Sequence, residues 1–394
     1  MDHVLDCSGY EIVKTDIVRA QGAYLFDAVG DRYVDFESGV WCTALGHNHP
    51  VVRDATLAQL GRVSHLGYRV ESALAEDAAV TVLSTLPLSD GKCLFLASGS
   101  EAVELAVQIA HGLTEKPFLL SLSDSYLAAY GSAAKRDLSE WYLFDWRECV
   151  GCADADECSA ECPRVRAVPF DRMGGFVLEP GNAGGTVHLP PSGLIRTLSC
   201  RVREHGGLIV VDEVTTGLGR TGLWYGFEHY GISPDLVALG KGLGNGYPVS
   251  CVAMTRAIGA RLERERFHYA QSHQDDPLGC VIAKTVIDTL RRKSLIERGA
   301  RMGKVLLDGL RSVARSHTAV TDVRGRGLMV VLEVDGTGKK DVVTPLFRRL
   351  LDRGFLVGCK PAASLLRFYP PLVISEDDIN GLLNAIAEVL EDAT

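Results

Sequence analysis

Short apolar runs alternate with longer amphipathic segments from residue 93 to residue 295, and this alternation limits what the chain can fold into. The apolar runs are too short for helices and are bounded by polar residues or glycine, which is typical of buried strands. Strands that alternate with helices predict an α/β fold, a mostly parallel sheet flanked by helices. We predict strands at 93–96, 118–122, 176–178, 208–211, 236–239 and 249–254, and helices at 101–113, 192–205 and 277–292.

The two ends of the chain have a different pattern. A hairpin with a turn at Gly30 and Asp31 is predicted at 24–36, and helices are predicted at 51–61 and 71–86. From about residue 301, predicted helices at 301–316, 343–353 and 376–391 are mixed with strands near 327–334, 355–357 and 366–368. We therefore divide the chain into an N-terminal segment 1–50 that joins the small domain, a large domain 51–295, and a smaller α+β C-terminal domain 296–394.

Composition excludes several classes of protein. The formal net charge of -9 argues against a nucleic-acid surface, because neutralising phosphates requires an excess of Lys and Arg. No apolar run approaches the roughly 18 residues that span a bilayer, and residues 1–16 resemble neither a secretory signal nor a transit peptide. We expect small-molecule partners, no nucleic acid, no membrane and a cytoplasmic location.

Two motifs follow predicted strands, where open α/β sheets bind their ligands. Gly99 and Ser100 begin a helix whose N-terminal amides can bind a phosphate, although plain N-capping by a serine is the more common explanation. Asp212 ends an apolar run beside Glu213. An aspartate there can keep a pyridine nitrogen protonated, and metal binding and a strand-end cap are the alternatives.

Lys241 lies between glycines after another apolar run. Glycine lets a bulky ligand approach the backbone, and a lysine with a lowered pKa forms Schiff bases with aldehydes. A surface lysine is one alternative. A phosphate-binding lysine of the P-loop type is another, but that motif needs Ser or Thr after the lysine, where this chain has Gly242.

Together, these motifs resemble, in order and approximate spacing, those of the class III (ω-type) aminotransferases. That family uses pyridoxal 5′-phosphate (PLP) and has fold type I, with a large α/β domain and a smaller C-terminal domain. The resemblance covers nearly the whole chain and implies a homodimer with shared active sites. It is carried by residues 33–36, 46–50, 98–104, 178–180, 212–214, 217–222, 234–235, 240–242, 323–328 and 366–372.

The resemblance implies a set of cofactor-binding residues. Lys241 would carry PLP as a Schiff base, and Asp212 would bind the pyridine nitrogen. The phosphate would be bound by Gly99, Ser100 and, from the neighbouring subunit, Ser272. The ring would lie between Val214 and Tyr126, with Thr215 near its phenolic oxygen.

The resemblance also implies a substrate site. Arg367 would bind a substrate carboxylate, which its guanidinium can do with two parallel hydrogen bonds. Glu179 would pair with that arginine when no carboxylate is bound. Trp41 would line the substrate pocket, and a purely structural role in the core is its alternative.

The chain departs from the family pattern at two positions. Tyr126-Leu127-Ala128 stands where an aromatic-His-Gly triplet is usual, and Thr215 replaces a glutamine. The predicted activity is transfer of an amino group from an amine or amino acid to a keto acid or aldehyde. A PLP-dependent racemase, epimerase or aminomutase of the same fold is one alternative, and a PLP-binding regulatory or scaffold protein without turnover is another.

Four of the eleven cysteines lie within one short segment, 149–162. Four thiolates on a short loop can form a tetrahedral zinc site, so we predict that Cys149, Cys152, Cys158 and Cys162 bind Zn²⁺. Reduced thiols, an iron–sulfur cluster and disulfides are the alternatives. We interpret His47 and His49 as part of a structural turn, not as a metal site.

Overall fold

A computed structural model of the chain describes residues 11–152, 155–181, 184–336 and 341–392, together with residues 3, 5–7 and 9. The strands are β1 Ile17–Gln21, β2 Tyr24–Asp27, β3 Arg32–Asp35, β4 Lys92–Leu96, β5 Phe118–Leu122, β6 Trp141–Phe144, β7 Met173–Leu178, β8 Leu208–Asp212, β9 Leu236–Leu239, β10 Ser250–Met254, β11 Val320–Arg326, β12 Met329–Val334, β13 Phe355–Leu356, β14 Gly358–Lys360 and β15 Leu365–Phe368. The longer helices are Pro50–Leu60, Ala73–Leu83, Gly99–Thr114, Ser192–Glu204, Arg256–Arg264, Pro277–Arg292, Leu295–Ser316, Val343–Asp352 and Glu376–Glu391. Shorter helices lie at Gly131–Lys135 and Pro163–Arg166.

Seven strands form the central sheet, in the order β4-β10-β9-β8-β7-β5-β6. The strands from β9 to β6 are parallel to one another, and β10 is antiparallel to both of its neighbours. The predicted α/β fold with a mostly parallel sheet is therefore confirmed. Strands β7, β8 and β9 are adjacent, so their carboxyl ends meet at one edge of the sheet.

The central sheet is covered on both faces, which explains why its strands are apolar throughout. Phe176 and Leu178 of β7 pack into one apolar cluster, which includes side chains of helices Ser192–Glu204 and Pro277–Arg292. Val177 points to the opposite face and packs into a second cluster, around helix Gly99–Thr114. Alternate residues of one strand thus bury against different layers of helices.

Two further sheets contain the ends of the chain. Strands β1, β2, β3 and β13 form one, in which β3 pairs with β13 in parallel. Strands β11, β12, β15 and β14 form the other, and all of its pairs are antiparallel. The N-terminal segment thus shares a sheet with the C-terminal part of the chain, which is consistent with the proposed domain division; its boundaries stay predictions.

Most predicted elements are confirmed within a few residues, and the exceptions have physical reasons. The helix predicted from 301 begins at Leu295, directly after Ser294, whose φ of 47° separates it from the preceding helix. Gly299 weakens the helical pattern of this stretch. A Cβ atom there would lie 2.9 Å from Leu372 Cδ2, so packing favours glycine. Strands β1, β6 and β14 and helix Arg256–Arg264 were not predicted from the pattern.

None of the helices in the described ranges is long and apolar enough to cross a membrane.

Two helical glycines give a matched test of this packing. Gly303 of helix Leu295–Ser316 is buried, and a Cβ atom there would lie 2.3 Å from the backbone of Gly327. Gly112 of helix Gly99–Thr114 has no atom within 4 Å of the Cβ position. We expect Gly303→Ala to destabilise the fold by about 1–3 kcal/mol and Gly112→Ala to stabilise it by roughly 0.5–1 kcal/mol. Thermal unfolding of both variants measures this, and shifts of the same sign would contradict it.

Candidate active site

Three charged side chains meet at the carboxyl edge of the central sheet. Glu179 follows β7, Asp212 ends β8, and Lys241 lies just beyond β9. Leu178 is opposite Val211 in the sheet, and Asp212 is opposite Ala238. The register therefore brings residues that are far apart in sequence to the same edge, where open α/β sheets bind ligands.

Lys241 has a buried and polar environment. Its Nζ donates a hydrogen bond to Thr215 Oγ1 at 2.6 Å and lies 4.9 Å from the centre of the Trp41 ring. Burial lowers the pKa of Lys241, and the nearby Asp212 carboxylate only partly opposes this shift. The amine is thus biased toward its neutral form, which is the nucleophilic one.

The two adjacent acids at the end of β8 have different roles. Asp212 is 4% exposed, its Oδ1 accepts a hydrogen bond from Val214 N at 3.0 Å, and burial raises its pKa to about 7. Glu213 accepts hydrogen bonds from Thr216 Oγ1 and from the amides of Gly226 and Phe227. Glu213 therefore holds the following loop in place. Asp212 is the acid whose negative charge raises the pKa of Lys241 and partly offsets the effect of burial.

The helix after β4 begins with its amides at the same site. Ser98 caps it, since Ser98 Oγ accepts from Glu101 N at 3.3 Å and the Glu101 carboxylate accepts from Ser98 N at 2.8 Å. The serine that caps this helix is therefore Ser98, and not Ser100. A Cβ atom at Gly99 would lie 2.5 Å from Val214 Cγ1, so the absence of a side chain lets these two segments touch.

Ser100 connects this helix to the loop that contains Tyr126. Ser100 Oγ accepts a hydrogen bond from Ala129 N at 3.0 Å, which leaves its proton available for a phosphate oxygen. Glu179 Oε2 accepts from Tyr126 N at 2.8 Å, so the carboxylate positions the backbone of this loop. The side chain of Tyr126 is 51% exposed.

The departures from the family pattern have a structural explanation. Leu127 and Ala128 are buried in the cluster around helix Gly99–Thr114, where they fill space with apolar atoms. Thr215 is also buried, and its hydroxyl accepts the hydrogen bond of Lys241. Leu127 and Ala128 thus contribute to the apolar core, and Thr215 contributes a hydrogen-bond acceptor for the lysine.

Residues Ser38–Trp41 form a left-handed turn, which was not predicted from the sequence. Their φ values are 47°, 57°, 57° and 69°, although only one of the four residues is glycine. Asp35 supports the turn by accepting hydrogen bonds from Glu37 N and Gly39 N, and His47 Nε2 lies 2.7 Å from Asp35 Oδ2. Such strained backbone persists only where its surroundings impose it, and it is common at functional sites.

The left-handed turn places Trp41 between two cationic side chains. Arg367 Cζ lies 5.2 Å from the centre of the Trp41 ring, and Lys241 Nζ lies 4.9 Å from it. Trp41 also contacts the ring of Tyr369, with centroids 4.9 Å apart. Trp41 is therefore both a packed aromatic residue and a wall of the site.

Arg367 on β15 pairs with a carboxylate that was not predicted from the sequence. Arg367 Nη2 donates to Glu37 Oε2 at 3.3 Å, and burial raises the pKa of Glu37 to about 7. Gly185 and Gly358 form the sides of the guanidinium slot, since Cβ atoms there would lie 2.5 Å from Arg367 Nη1 and 2.7 Å from Arg367 Nε. In the described part of the chain, the buried Arg367 Nε has no hydrogen-bond partner, so it is available to a ligand.

The remaining predicted residues belong to other segments of the chain. Ser272 is exposed on the segment before helix Pro277–Arg292. The four cysteines of 149–162 are free thiols. Among the described residues, the metal-ligating cluster whose ligand atoms lie within 4.8 Å of one another is formed by His65, His273 and Asp276, and not by these cysteines. The interpretation of His47 as part of a turn agrees with its contact to Asp35.

Known proteins are similar to this chain in sequence and in fold. The profile of the aminotransferase class-III family matches residues 8–130 and 144–390. The acetylornithine aminotransferase of Methanopyrus kandleri is 31% identical over 387 residues, covering 97% of this chain and 95% of that protein. The 5-aminovalerate aminotransferase DavT of Pseudomonas aeruginosa is 30% identical over 403 residues, covering 95% and 93%. The structure of an (S)-enantioselective omega-transaminase from Thermomicrobium roseum superposes with a TM-score of 0.85 at 27% identity, covering 96% and 92%.

The fold of the chain is that of PLP enzymes of fold type I. The chain belongs to the class III aminotransferase family and is a PLP-dependent transaminase. The family and the activity expected from the ordered motifs are therefore confirmed.

The buried acids make the stability of the cofactor-free protein depend on pH. Burial raises the pKa values of Asp212, Glu213 and Glu37 to about 7, well above their values in an unfolded chain. The folded state thus binds more protons than the unfolded one, and stability is lost as pH rises through 7. We expect the melting temperature to fall between about pH 5 and pH 8, and Asp212→Asn to make that fall shallower.

Asp137→Asn is the matched control for this measurement. Asp137 is exposed, and hydrogen bonds from Ser139 lower its pKa, so it stays ionised across this range. Melting curves of the three cofactor-free proteins at several pH values provide the test. An unchanged pH dependence in Asp212→Asn would contradict the assignment.

Proposed function

We propose that the sheet-edge site holds PLP with Lys241 as its covalent attachment point. The observation that carries this proposal is the partly buried Lys241 amine, whose pKa is lowered, in the same site as Asp212 and the start of helix Gly99–Thr114. PLP needs a nucleophilic amine, a carboxylate for its pyridine nitrogen and donors for its phosphate. The described residues include one candidate for each.

The residues around the lysine fit the parts of the cofactor. Asp212 would bind the protonated pyridine nitrogen, whose positive charge would favour the ionised carboxylate. The amides of Gly99 and Ser100, with the Ser100 hydroxyl, would bind the phosphate. Val214 would cover one face of the ring, and Tyr126 would cover the other. Bound PLP supplies an electron sink for the carbanion that forms when a substrate loses a proton.

The chain's own residues would move the proton. The neutral Lys241 amine would act as the base that takes a proton from the substrate and returns it at another position. The hydrogen bond to Thr215 Oγ1 limits the positions that Nζ can adopt. Trp41 and Tyr369 are buried and their rings are in contact, so they would exclude water from this side of the site. Thr215 thus takes a positioning role where the family pattern has a longer glutamine.

We further propose that the second substrate is a keto acid or aldehyde and that Arg367 binds a substrate carboxylate. A carboxylate entering the slot has to displace Glu37, whose Oε2 lies 3.3 Å from Arg367 Nη2. Glu179 stays a candidate substrate residue through its hold on the Tyr126 loop. A racemase, epimerase or aminomutase would need no amino acceptor, and a scaffold protein would show no amine-driven change in bound PLP.

Several further expectations stay proposals. We propose that Ser272, which is exposed in the single chain, contacts PLP in the neighbouring subunit of a homodimer. The cytoplasmic location expected from the sequence stays a proposal as well. Zinc at Cys149, Cys152, Cys158 and Cys162 also stays a proposal. Burial and the three neighbouring thiols raise the pKa of Cys149, which is consistent with thiols that lie near one another.

Reduction of the holoenzyme with borohydride tests the attachment point. We expect wild type to retain PLP as a covalent adduct on the peptide that contains Lys241, and Lys241→Ala to retain none. Lys293→Ala, which changes an exposed lysine, is the control. An adduct on another lysine in wild type, or one that persists in Lys241→Ala, would overturn the assignment.

The same protein tests the reaction. Adding an amine donor should remove the visible absorption of the bound cofactor and release a carbonyl product, and an acceptor should restore it. Racemisation without an acceptor would favour the racemase, and binding without any amine-driven change would favour the scaffold.

Two conservative substitutions test the substrate slot. Arg367→Lys keeps the charge but loses the paired hydrogen bonds, so we expect KM for a carboxylate-bearing acceptor to rise about tenfold. Glu37→Gln removes the competing charge and should lower that KM. An aldehyde acceptor without a carboxylate is the control, and its KM should change little in either variant. Equal effects on both acceptors would contradict the role of Arg367.

A further inference from the structure

A second cluster of ligating side chains lies outside the active site. His65 lies between helices Pro50–Leu60 and Ala73–Leu83, whereas His273 and Asp276 precede helix Pro277–Arg292. His65 Nδ1 is 2.6 Å from Asp276 Oδ1, and His273 Nδ1 is 2.6 Å from Asp276 Oδ2. One carboxylate thus joins imidazoles from segments that are far apart in sequence.

The chemistry of the three side chains matches a transition-metal ion. Two imidazoles and a carboxylate are a donor set that Zn²⁺ accepts, with water in the remaining positions. The ligand atoms lie within 4.8 Å of one another. The Asp276 side chain is 11% exposed, while those of His65 and His273 are 47% and 62% exposed. The carboxylate is therefore held in place, and the imidazoles leave room for water ligands.

We propose that His65, His273 and Asp276 form a binding site for a divalent transition-metal ion, with Zn²⁺ as its best-suited occupant. In neutral imidazoles, the Nδ1 proton moves to Nε2 when Nδ1 binds the ion, so no net proton is released. Zinc ligands at about 2.0–2.1 Å from the ion are roughly 3.3 Å from each other in a tetrahedral site. The two nitrogen–oxygen contacts therefore widen by less than about 1 Å, which the exposed histidines accommodate.

The position of Asp276 supports this use. Asp276 occupies the N-cap position of helix Pro277–Arg292, yet its side chain makes no capping hydrogen bond. Its two oxygens instead contact the two imidazoles. The carboxylate is therefore committed to the histidines and not to the helix.

A bound ion would connect two parts of the fold. It would tie the segment of His65 to the start of helix Pro277–Arg292. The neighbouring Asp275 accepts a hydrogen bond from Phe95 N at 2.8 Å, which links the same segment to β4. The ion would thus stabilise the packing directly next to Ser272, the residue proposed to contact PLP in a neighbouring subunit.

Zinc titration of the chelator-treated holoenzyme tests the site. We compare wild type with His65→Ala/His273→Ala, and use His268→Ala, which changes another exposed histidine, as the control. All three proteins keep every cysteine, so thiol-bound zinc is common to them. We expect wild type and His268→Ala to bind one more equivalent of Zn²⁺ than the double variant. Zn²⁺ should also raise the melting temperatures of wild type and His268→Ala by more than that of the double variant.

A second measurement identifies the ligands. X-ray absorption at the zinc edge should show imidazole scattering in wild type that the double variant lacks. His273→Gln replaces the double variant if that protein does not fold, and should weaken binding at least about tenfold. Equal zinc content and equal thermal shifts in wild type and variant, or zinc bound through sulfur alone, would overturn the proposal.

Discussion

Parallel hydrogen bonding among β7, β8 and β9 is the constraint on which the active site depends. Each strand ends at the same edge of the sheet, and each delivers one charged side chain there: Glu179, Asp212 or Lys241. A shift of one residue in any of these pairings would turn that side chain toward the opposite face, because side chains alternate along a strand. The apolar clusters on both faces prevent such a shift.

Burial gives these groups their chemical character. Asp212 and Lys241 are removed from water together, so the acid has a raised pKa and the amine a lowered one. Arg220 is also buried, but its role is structural. Its guanidinium donates to the carbonyl oxygens of Leu328 and Pro370, and burial lowers its pKa to about 10. A buried charge is stable only where such partners exist. Asp212 and Lys241 make fewer hydrogen bonds than Arg220, so both keep polar atoms available for a ligand.

The fold was largely predictable because its signals are local. The apolar runs that became β5 and β9 have the bounds that the pattern indicated, and helix Pro277–Arg292 begins at the proline expected in a first turn. The short strands β1 and β14 were missed because their residues are mostly exposed or only partly buried, and such strands carry little pattern. The left-handed turn at Ser38–Trp41 was missed for another reason. Three of its four residues are poorly suited to positive φ, so only contacts with Asp35 and Tyr369 explain it.

The sequence by itself determined the family, the cofactor lysine as a candidate and the aspartate that accompanies it, because strand ends and glycine-flanked lysines leave local patterns. Only the tertiary structure decided which carboxylate Arg367 contacts. Glu37 and Arg367 are separated by most of the chain, and nothing in the pattern around Glu37 marks it as a partner. The same holds for His65, His273 and Asp276. Such pairings arise when distant segments pack together, and no local pattern records them.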